Sequence, residues 1–372
     1  MKKTLAAVAV LGAFAGSALA ADVTLYGKVD LGLQYIHSDK GEVKTDSWGL
    51  KSGSGSASRW GIKGAEQISE NLTVGFMLED GIDADSGTTG DMFDREARLY
   101  VATEYGTLHM GRFGGLDATV GSVSVVGSGK LSAMGGGYGS AIADHGIVLN
   151  KTSRFNNAIA YTSPTFAGVK LSAMVALGDA IKDDDGEVVK GIKGEGSSDV
   201  NRYYALGANG QWGAFGAALA VSQMDFGHEK YVSGTSTVAQ DKDNSTNVTA
   251  GVNYDFGVAK VYLAGNYYDN GDKQDQYGVL ASMSAPLAGG TLQVQGGYKK
   301  VTDDDNSAEY VDANKNVEGD TMMIGAYYEY PLSKRTYIYT SAGYTQVDYD
   351  NRAAKVDSEK TTEVVAGIVH NF

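Results

Sequence analysis

Apolar and polar residues alternate with a period of two in many short runs along this chain. In the first run Leu25, Val29 and Leu33 fall on one face, whereas Lys28 and Asp30 fall on the other. Side chains of a strand point alternately to its two sides, so the pattern predicts strands with one apolar and one polar face. Sixteen segments are predicted as strands, at residues 23–36, 58–67, 72–80, 93–104, 107–113, 154–162, 169–177, 203–211, 215–224, 247–254, 259–268, 277–285, 292–300, 322–330, 336–347 and 362–372.

The connections between the predicted strands alternate between short and long. Seven short turns lie on one side with both termini, and eight longer segments lie on the other side. The last run alternates as far as Phe372, which predicts a final strand paired to the first in a closed sheet. Short turns on one side of an even number of strands are typical of outer-membrane barrels. We therefore predict an all-β fold, a transmembrane antiparallel β-barrel of sixteen strands with short periplasmic turns and long extracellular loops.

The division of charge between the strand faces fits such a barrel. A Lys or Arg that faces lipid at mid-depth costs about 2–4 kcal/mol, so Lys28 is predicted to point into the lumen. The same reasoning places Lys260 inside, because the opposite face of its strand carries Leu263.

The number of strands bears on function because barrel width rises with it. A barrel of this size leaves an aqueous channel unless a segment fills it. The one connection long enough to enter is 114–153, which is rich in Gly, Ser and Ala. We predict that it folds inward and narrows the channel without closing it.

The N-terminus has the pattern of a secretory signal peptide. Lys2 and Lys3 precede an apolar stretch, and Ala18 and Ala20 provide the small residues that a signal peptidase reads. Cleavage after Ala20 is predicted to separate a signal peptide, 1–20, from a barrel domain, 21–372. No later segment approaches the roughly 18–20 apolar residues of a membrane-spanning helix.

The composition excludes several functional classes. The chain has 51 glycines, 23 tyrosines, three prolines and no cysteine, as expected for many strands without a disulfide framework. Without cysteine there is no thiolate for catalysis or metal binding. The 45 acidic residues outnumber the 31 basic ones, which argues against nucleic acid as a partner. The five histidines are scattered, so no cofactor and no metal site are predicted.

Several motifs occur in an order that resembles a known family. They are VTLYGKVD at 23–30, SRWGIKG at 58–64, FDREA at 93–97, Gly111-Arg112, the group Arg154, Asn157, Tyr161, Pro164, Phe166 and Gly168, and the terminal His370-Asn371-Phe372. Each motif is weak alone, but together they resemble the general diffusion porins of Gram-negative outer membranes. The resemblance implies a homotrimer of barrels in the cell outer membrane, each with its third loop folded into the lumen. It implies passive diffusion of small hydrophilic solutes and ions.

The resemblance also implies roles for individual residues. In the family, basic wall residues face acidic residues of the third loop and produce a transverse field at a constriction. Carried over by motif, the wall residues are Lys28, Arg59, Arg95, Arg112 and Arg154. The loop residues are Asp117, Lys130 and Asp144. The implied partners are outer-membrane lipids, lipopolysaccharide and the barrel-assembly machinery, for which His370 and Phe372 form the C-terminal signal.

The loop side of this constriction has few acidic residues. Asp117 and Asp144 are the only acids between Arg112 and Arg154. We therefore hypothesise a net positive constriction that leans toward anions. The alternative is that outer-loop carboxylates enrich cations at the mouth and leave little net preference, since charges are screened over about 8 Å at physiological salt.

The strand parity is less regular around Arg95. Asp94, Glu96 and Arg98 put charge on the opposite face as well. We expect that outer face to meet a neighbouring subunit or water instead of lipid.

An enzyme is not predicted, and two other classes are weighed as alternatives. The one candidate for hydrolysis is His145 beside Asp144, without an arrangement that strand geometry would bring together. A substrate-specific channel would need a series of aromatic residues along the lumen, whereas a non-conducting adhesive or structural barrel would need a filled lumen. The acidic runs 183–187 and 303–305 could bind divalent cations or bridge lipopolysaccharide, although such loops are usually only solvated.

Overall fold

The computed structural model describes residues 23–127, 129–134, 148–149, 154–178, 201–225, 229–233, 236–240, 244–271, 274–303, 318–350 and 357–372. The predicted signal peptide lies outside the described residues. The strands are β1 (Thr24–Lys40), β2 (Val43–Ser52), β3 (Arg59–Ser69), β4 (Leu72–Gly81), β5 (Glu96–Thr103), β6 (Gly106–Gly114), β7 (Arg154–Thr162), β8 (Val169–Ala176), β9 (Arg202–Trp212), β10 (Phe215–Asp225), β11 (Glu229–Ser233), β12 (Ser236–Gln240), β13 (Ser245–Asp255), β14 (Lys260–Asp269), β15 (Gln274–Leu287), β16 (Gly290–Asp303), β17 (Gly319–Pro331), β18 (Thr336–Tyr349) and β19 (Ser358–Asn371). Within the described ranges, no helix is long and apolar enough to cross a bilayer.

Seventeen of these strands, all except β11 and β12, form one antiparallel sheet. Because β2 and β3 pair with successive parts of β1, the wall has sixteen strand positions, and it closes where β19 pairs with β1. The pairing of β1 with β19 runs from Lys28 opposite Asn371 to Lys40 opposite Glu359. At the end of the chain, the Gly27 N–H donates to the Phe372 carbonyl at 3.1 Å, and the Phe372 N–H donates to the Gly27 carbonyl at 3.0 Å. The predicted closed barrel of sixteen strands is confirmed.

Three strands were not predicted from the sequence. β2 folds back on β1 as a hairpin, and β11 pairs only with β12 in a separate small sheet. Most residues of β2 are exposed, so no apolar face marks it in the sequence. Several barrel strands also run further than predicted, because pairing continues beyond the alternating runs. The connection between β14 and β15, predicted to be long, is short for this reason, since pairing extends to Asp269 opposite Asp275.

The outer surface of the wall is apolar. On β1 Leu25 and Leu33 are 53% and 56% exposed, whereas Asp30 between them is fully buried. On β9 Leu206 is 67% exposed, and its neighbour Ala205 is buried inside. The predicted faces of β1 are therefore confirmed, with the apolar face outward.

The segment that follows β6 enters the barrel and packs against its inner wall. Leu116, Val125 and Leu131 of this segment are buried in one cluster with inward-facing wall residues. Many of the wall residues in that cluster are alanines: Ala158, Ala160, Ala176, Ala205, Ala218, Ala220 and Ala264. Further along, Met134 packs in a second cluster with Tyr327 and Tyr339. Small wall residues therefore leave room inside the barrel for the described part of 114–153.

Candidate functional site

A cluster of basic residues lies on the inner wall where β1, β3 and β4 are neighbours. Lys28 of β1 pairs with Arg59, the first residue of β3. The Arg59 Nε atom lies 3.3 Å from Glu79 Oε2, and the Arg95 Nε atom lies 2.7 Å from Oε1 of the same carboxylate. The Tyr26 hydroxyl donates to Glu79 Oε2 at 3.0 Å. Glu79 therefore brings two of the predicted wall arginines together.

Glu79 was not singled out from the sequence. Its register places it opposite Gly61 on one side and Glu96 on the other. The sequence does carry a signal for it, because an acid inside a membrane strand has to face the lumen. The strand pattern thus predicts that the Glu79 side chain faces the lumen, whereas only the sheet register shows that Arg59 and Arg95 are its partners.

The other two predicted wall arginines lie where β6 and β7 pair. Arg154 is the first residue of β7 and is close enough to Arg95 to interact with it electrostatically. Arg112 donates from Nε to the Asp94 carbonyl at 2.7 Å and from Nη1 to Asn156 Oδ1 at 2.6 Å. Arg154 therefore lies near the basic cluster, whereas Arg112 ties the start of β5 to β7.

The charges next to Arg95 do not point outward. Leu99 is 45% exposed on the outer surface, so Glu96 and Arg98, which have the other parity on β5, face the lumen. Glu96 also accepts two hydrogen bonds from the inward-folded segment, at 2.8 and 2.7 Å. The expectation that they meet a neighbouring subunit or outside water is wrong. A positive φ of 57° at Phe93 and the late start of β5 interrupt the alternation, so parity cannot be counted through these residues.

Asp117 is buried against the wall on the far side from the basic cluster. Its Oδ1 atom accepts a hydrogen bond from the Tyr203 hydroxyl at 2.6 Å. Its Oδ2 atom accepts from the Ser222 hydroxyl at 2.5 Å and from Asn247 Nδ2 at 2.7 Å. The side chain is 2% exposed. Asp117 therefore anchors the inward-folded segment to β9, β10 and β13 and does not line the water-filled lumen.

Lys130 also braces this segment. Its Nζ atom donates to the Ser124 carbonyl at 2.7 Å, and its own carbonyl accepts from Asn253 Nδ2 at 2.9 Å. Burial lowers the pKa of the Lys130 ammonium, and repulsion from Lys170 adds to this effect. Asp144, the other predicted loop residue, lies outside the described residues.

The C-terminal residues lie on the outer face at the closure of the barrel. His370 Nδ1 is 2.9 Å from Thr336 Oγ1. The Phe372 ring covers Gly27, where an added Cβ would lie 2.4 Å from the ring and 2.6 Å from the Arg59 carbonyl. These residues contribute to closure and are not part of the lumen cluster.

A second stretch of chain reaches the basic cluster and was not predicted. It is 53–58, between β2 and β3, and its Ser56 hydroxyl accepts a hydrogen bond from Lys28 Nζ at 2.9 Å. The sequence treats it only as part of a long polar gap, although its Gly and Ser content is a weak signal of irregular backbone. Within the described ranges, no group of three or more His, Asp and Glu side chains could hold a metal ion.

Comparisons with known proteins agree with this geometry. The family model described as Gram-negative porin matches residues 6–371. The chain is 29% identical to an outer membrane porin protein of Bordetella pertussis, with all of both chains covered. It is 29% identical to outer membrane porin protein 32 of Delftia acidovorans, with 91% of this chain and 88% of that protein covered.

Solved structures show the same fold. An anion-selective porin from Comamonas acidovorans has a TM-score of 0.68 at 22% identity, covering 95% of this chain and 100% of that one. OmpT of Vibrio cholerae in its trimer form has a TM-score of 0.60 at 16% identity, covering 95% and 99%. The chain therefore belongs to the Gram-negative porin family, and it is a passive channel of the outer membrane.

Proposed function

We propose that the channel favours anions at a constriction between the basic cluster and the inward-folded segment. The basic side chains of Lys28, Arg59, Arg95 and Arg154 share this part of the lumen with the carboxylates of Asp30 and Glu79. Asp94 and Glu96 also lie close enough to Arg154 to interact with it, but Glu96 forms an ion pair with Arg98, and both carboxylates accept backbone hydrogen bonds. A surplus of positive charge attracts anions and repels cations where water is confined and screening is weak.

The burial of Asp117 is the observation that carries the proposal. Its carboxylate is held on the far wall by three hydrogen bonds. It is therefore turned away from the lumen and does not oppose the basic cluster. The similar structure from Comamonas acidovorans is described as anion-selective, which supports the same direction.

Reversal potentials of single channels across a KCl gradient test this proposal. We expect a sign that corresponds to anion preference, and a clear cation preference would contradict it. Glu79→Gln should increase the anion preference, because it removes the carboxylate that lies between Arg59 and Arg95. Glu70→Gln is the matched control, because Glu70 is exposed in a turn and should leave the reversal potential unchanged.

We also propose that the chain works as a homotrimer. OmpT of Vibrio cholerae, which has a similar fold, is described in a trimer form, and the resemblance to the diffusion porins implies the same assembly. Cross-linking in detergent, followed by gels of heated and unheated samples, should give a band of three subunits that heating dissociates. A monomer under both conditions would contradict this proposal.

The remaining expectations from the sequence belong to the same proposal. The signal peptide would be removed after Ala20, and His370 and Phe372 would be read by the barrel-assembly machinery. Lipids and lipopolysaccharide would surround the apolar outer face, and no catalytic activity is proposed. N-terminal sequencing of the outer-membrane protein tests the cleavage site, since a chain that begins elsewhere than residue 21 would contradict it.

A further inference from the structure

One strand of the barrel wall is interrupted in an unusual way. β2 pairs with β1 from Lys40 down to Leu31, and β3 pairs with the same edge of β1 from Lys28 downward. β2 and β3 therefore lie end to end beside β1, where a regular barrel would have one continuous strand. Residues 53–58, which connect them, turn out of the sheet after β2 and rejoin it at β3.

Asp30 holds these residues inside the barrel. Its Oδ2 atom accepts hydrogen bonds from the Gly55 and Ser56 backbone N–H groups, both at 2.6 Å. Its Oδ1 atom accepts from the Tyr339 hydroxyl at 2.8 Å, and Asp30 is fully buried. Hydrogen bonds to a charged acceptor are stronger than neutral ones, so one carboxylate can fix two consecutive backbone groups.

The main chain of Asp30 also forms hydrogen bonds to this segment. The Gly53 N–H donates to its carbonyl at 3.1 Å, and its own N–H donates to the Ser58 hydroxyl at 3.0 Å. Both ends and the middle of 53–58 are thus bound to one residue of β1.

Tyr339 is the point where the two inward-folded segments meet. A Cβ added to Gly55 would lie 2.7 Å from the Tyr339 ring, so only glycine permits this contact. The same tyrosine packs in one cluster with Met134 of the segment after β6. The described part of that segment extends along the inner wall from β6 as far as this cluster, and 53–58 continues from there across β1 to β3.

The 53–58 segment supplies acceptors to two wall cations. The Ser56 hydroxyl accepts from Lys28 Nζ at 2.9 Å. The Ala57 carbonyl accepts from Arg59 Nη1 at 2.9 Å. Lys and Arg side chains have several rotatable bonds, and such contacts restrict where the charges lie in the lumen.

We propose that residues 53–58 are a second constricting element of the channel and that Asp30 is the positioning residue that fixes it. The segment narrows the lumen next to the end of the described loop after β6, and it orients Lys28 and Arg59. Its effect on ion preference rests on the proposed anion selectivity, whereas its effect on pore width does not.

Cysteine labelling tests the position of the segment. The natural chain has no cysteine, so Ser56→Cys introduces a single thiol. A charged methanethiosulfonate reagent should reduce the single-channel conductance of this variant in steps. Ser333→Cys, in an exposed turn, is the control and should keep its conductance. Full conductance of labelled Ser56→Cys would overturn the proposal.

Asp30→Asn tests the positioning role. The amide has one acceptor oxygen where the carboxylate has two, so it cannot accept from both backbone N–H groups and from the Tyr339 hydroxyl together. Its remaining hydrogen bonds also carry no charge, so the segment should be released. We expect a larger single-channel conductance and a ratio of anion to cation permeability closer to one. Loss of a carboxylate without any positioning role would raise the anion preference at unchanged conductance, and that result would overturn the proposal.

Two further variants keep the test decisive if Asp30→Asn does not fold. Tyr339→Phe removes one of the hydrogen bonds to Asp30 and should shift conductance in the same direction to a smaller extent. Ser56→Ala removes the acceptor of Lys28 but keeps the backbone bond to Asp30, so it should change the permeability ratio more than the conductance. If the natural channel prefers cations, the proposed anion preference fails, while the labelling and conductance results still decide the position of the segment.

Discussion

At the scale of single residues, the structure assigns different tasks to charges that look alike in the sequence. Asp117 and Glu79 are both acids near the lumen. The Asp117 carboxylate accepts three hydrogen bonds from wall residues, whereas the Glu79 carboxylate lies between two arginines. Burial and partners therefore decide which acid acts on the lumen.

Asp117→Asn should loosen the inward-folded segment with little effect on ion preference. The amide loses charge-assisted hydrogen bonds, each worth roughly 1.5–3 kcal/mol, while the charge it removes lies away from the lumen. We expect noisier single-channel currents and a reversal potential close to that of the natural protein. A strong shift toward anions would mean that Asp117 does face the lumen.

Gly27 should be intolerant of a side chain. Gly27→Ala places a methyl group against the Phe372 ring and the Arg59 carbonyl, and overpacking of this kind typically costs about 1–3 kcal/mol. We expect a lower midpoint of unfolding in urea, measured by the heat-dependent gel shift of the barrel. Gly49→Ala is the control, because nothing lies within 4 Å of its added Cβ. Equal midpoints of the two variants would contradict the role of Gly27.

At the scale of strands and loops, the inner face of the wall is matched to what it holds. β7 to β10 carry alanines on the inner face where the segment after β6 packs, and larger apolar residues on the outer face. Such strands are apolar on both sides. This pattern is a sequence signal for a segment packed inside the barrel.

Ala220→Leu should displace the inward-folded segment. Ala220 is fully buried between the wall and that segment, and extra methyl groups there cost about 1–3 kcal/mol. We expect a changed single-channel conductance and reduced resistance to urea. Ala281→Leu makes the same change on the exposed outer face and should alter neither measurement.

At the scale of the whole molecule, the barrel reverses the usual arrangement of a soluble protein. Large apolar side chains such as Leu206 and Leu263 are on the outside, and most buried polar groups line the interior. The predicted fold class, family and outer-membrane location are confirmed.

A charged side chain introduced on the lipid face of a strand should destabilise the barrel much more than one introduced on its lumen face. Leu206→Arg puts a charge on the lipid face, for which a cost of about 2–4 kcal/mol is expected at mid-depth. Asn209→Arg, on the lumen face of the same strand, should cost much less. Folding titrations into lipid vesicles measure both, and equal stabilities would contradict the assigned faces.

The sequence by itself determined the number of barrel strands, the direction of their faces and the family. Period-two alternation and the cost of charge in lipid act on each strand separately, so they can be read without knowing its neighbours. The irregular parity at Arg95 was misread because the break at Phe93 is a local backbone feature without a pattern in the sequence.

Only the tertiary structure decided which charges meet in the lumen. Asn247 binds Asp117 across 130 residues of chain, and Tyr339 binds Asp30 across 309. Contacts of this kind depend on sheet register and barrel closure together. The 53–58 segment has no periodicity to reveal its course, so its place inside the barrel follows from the packed structure alone. For the segment after β6 the sequence predicted entry into the barrel, but not which wall residues its described part contacts.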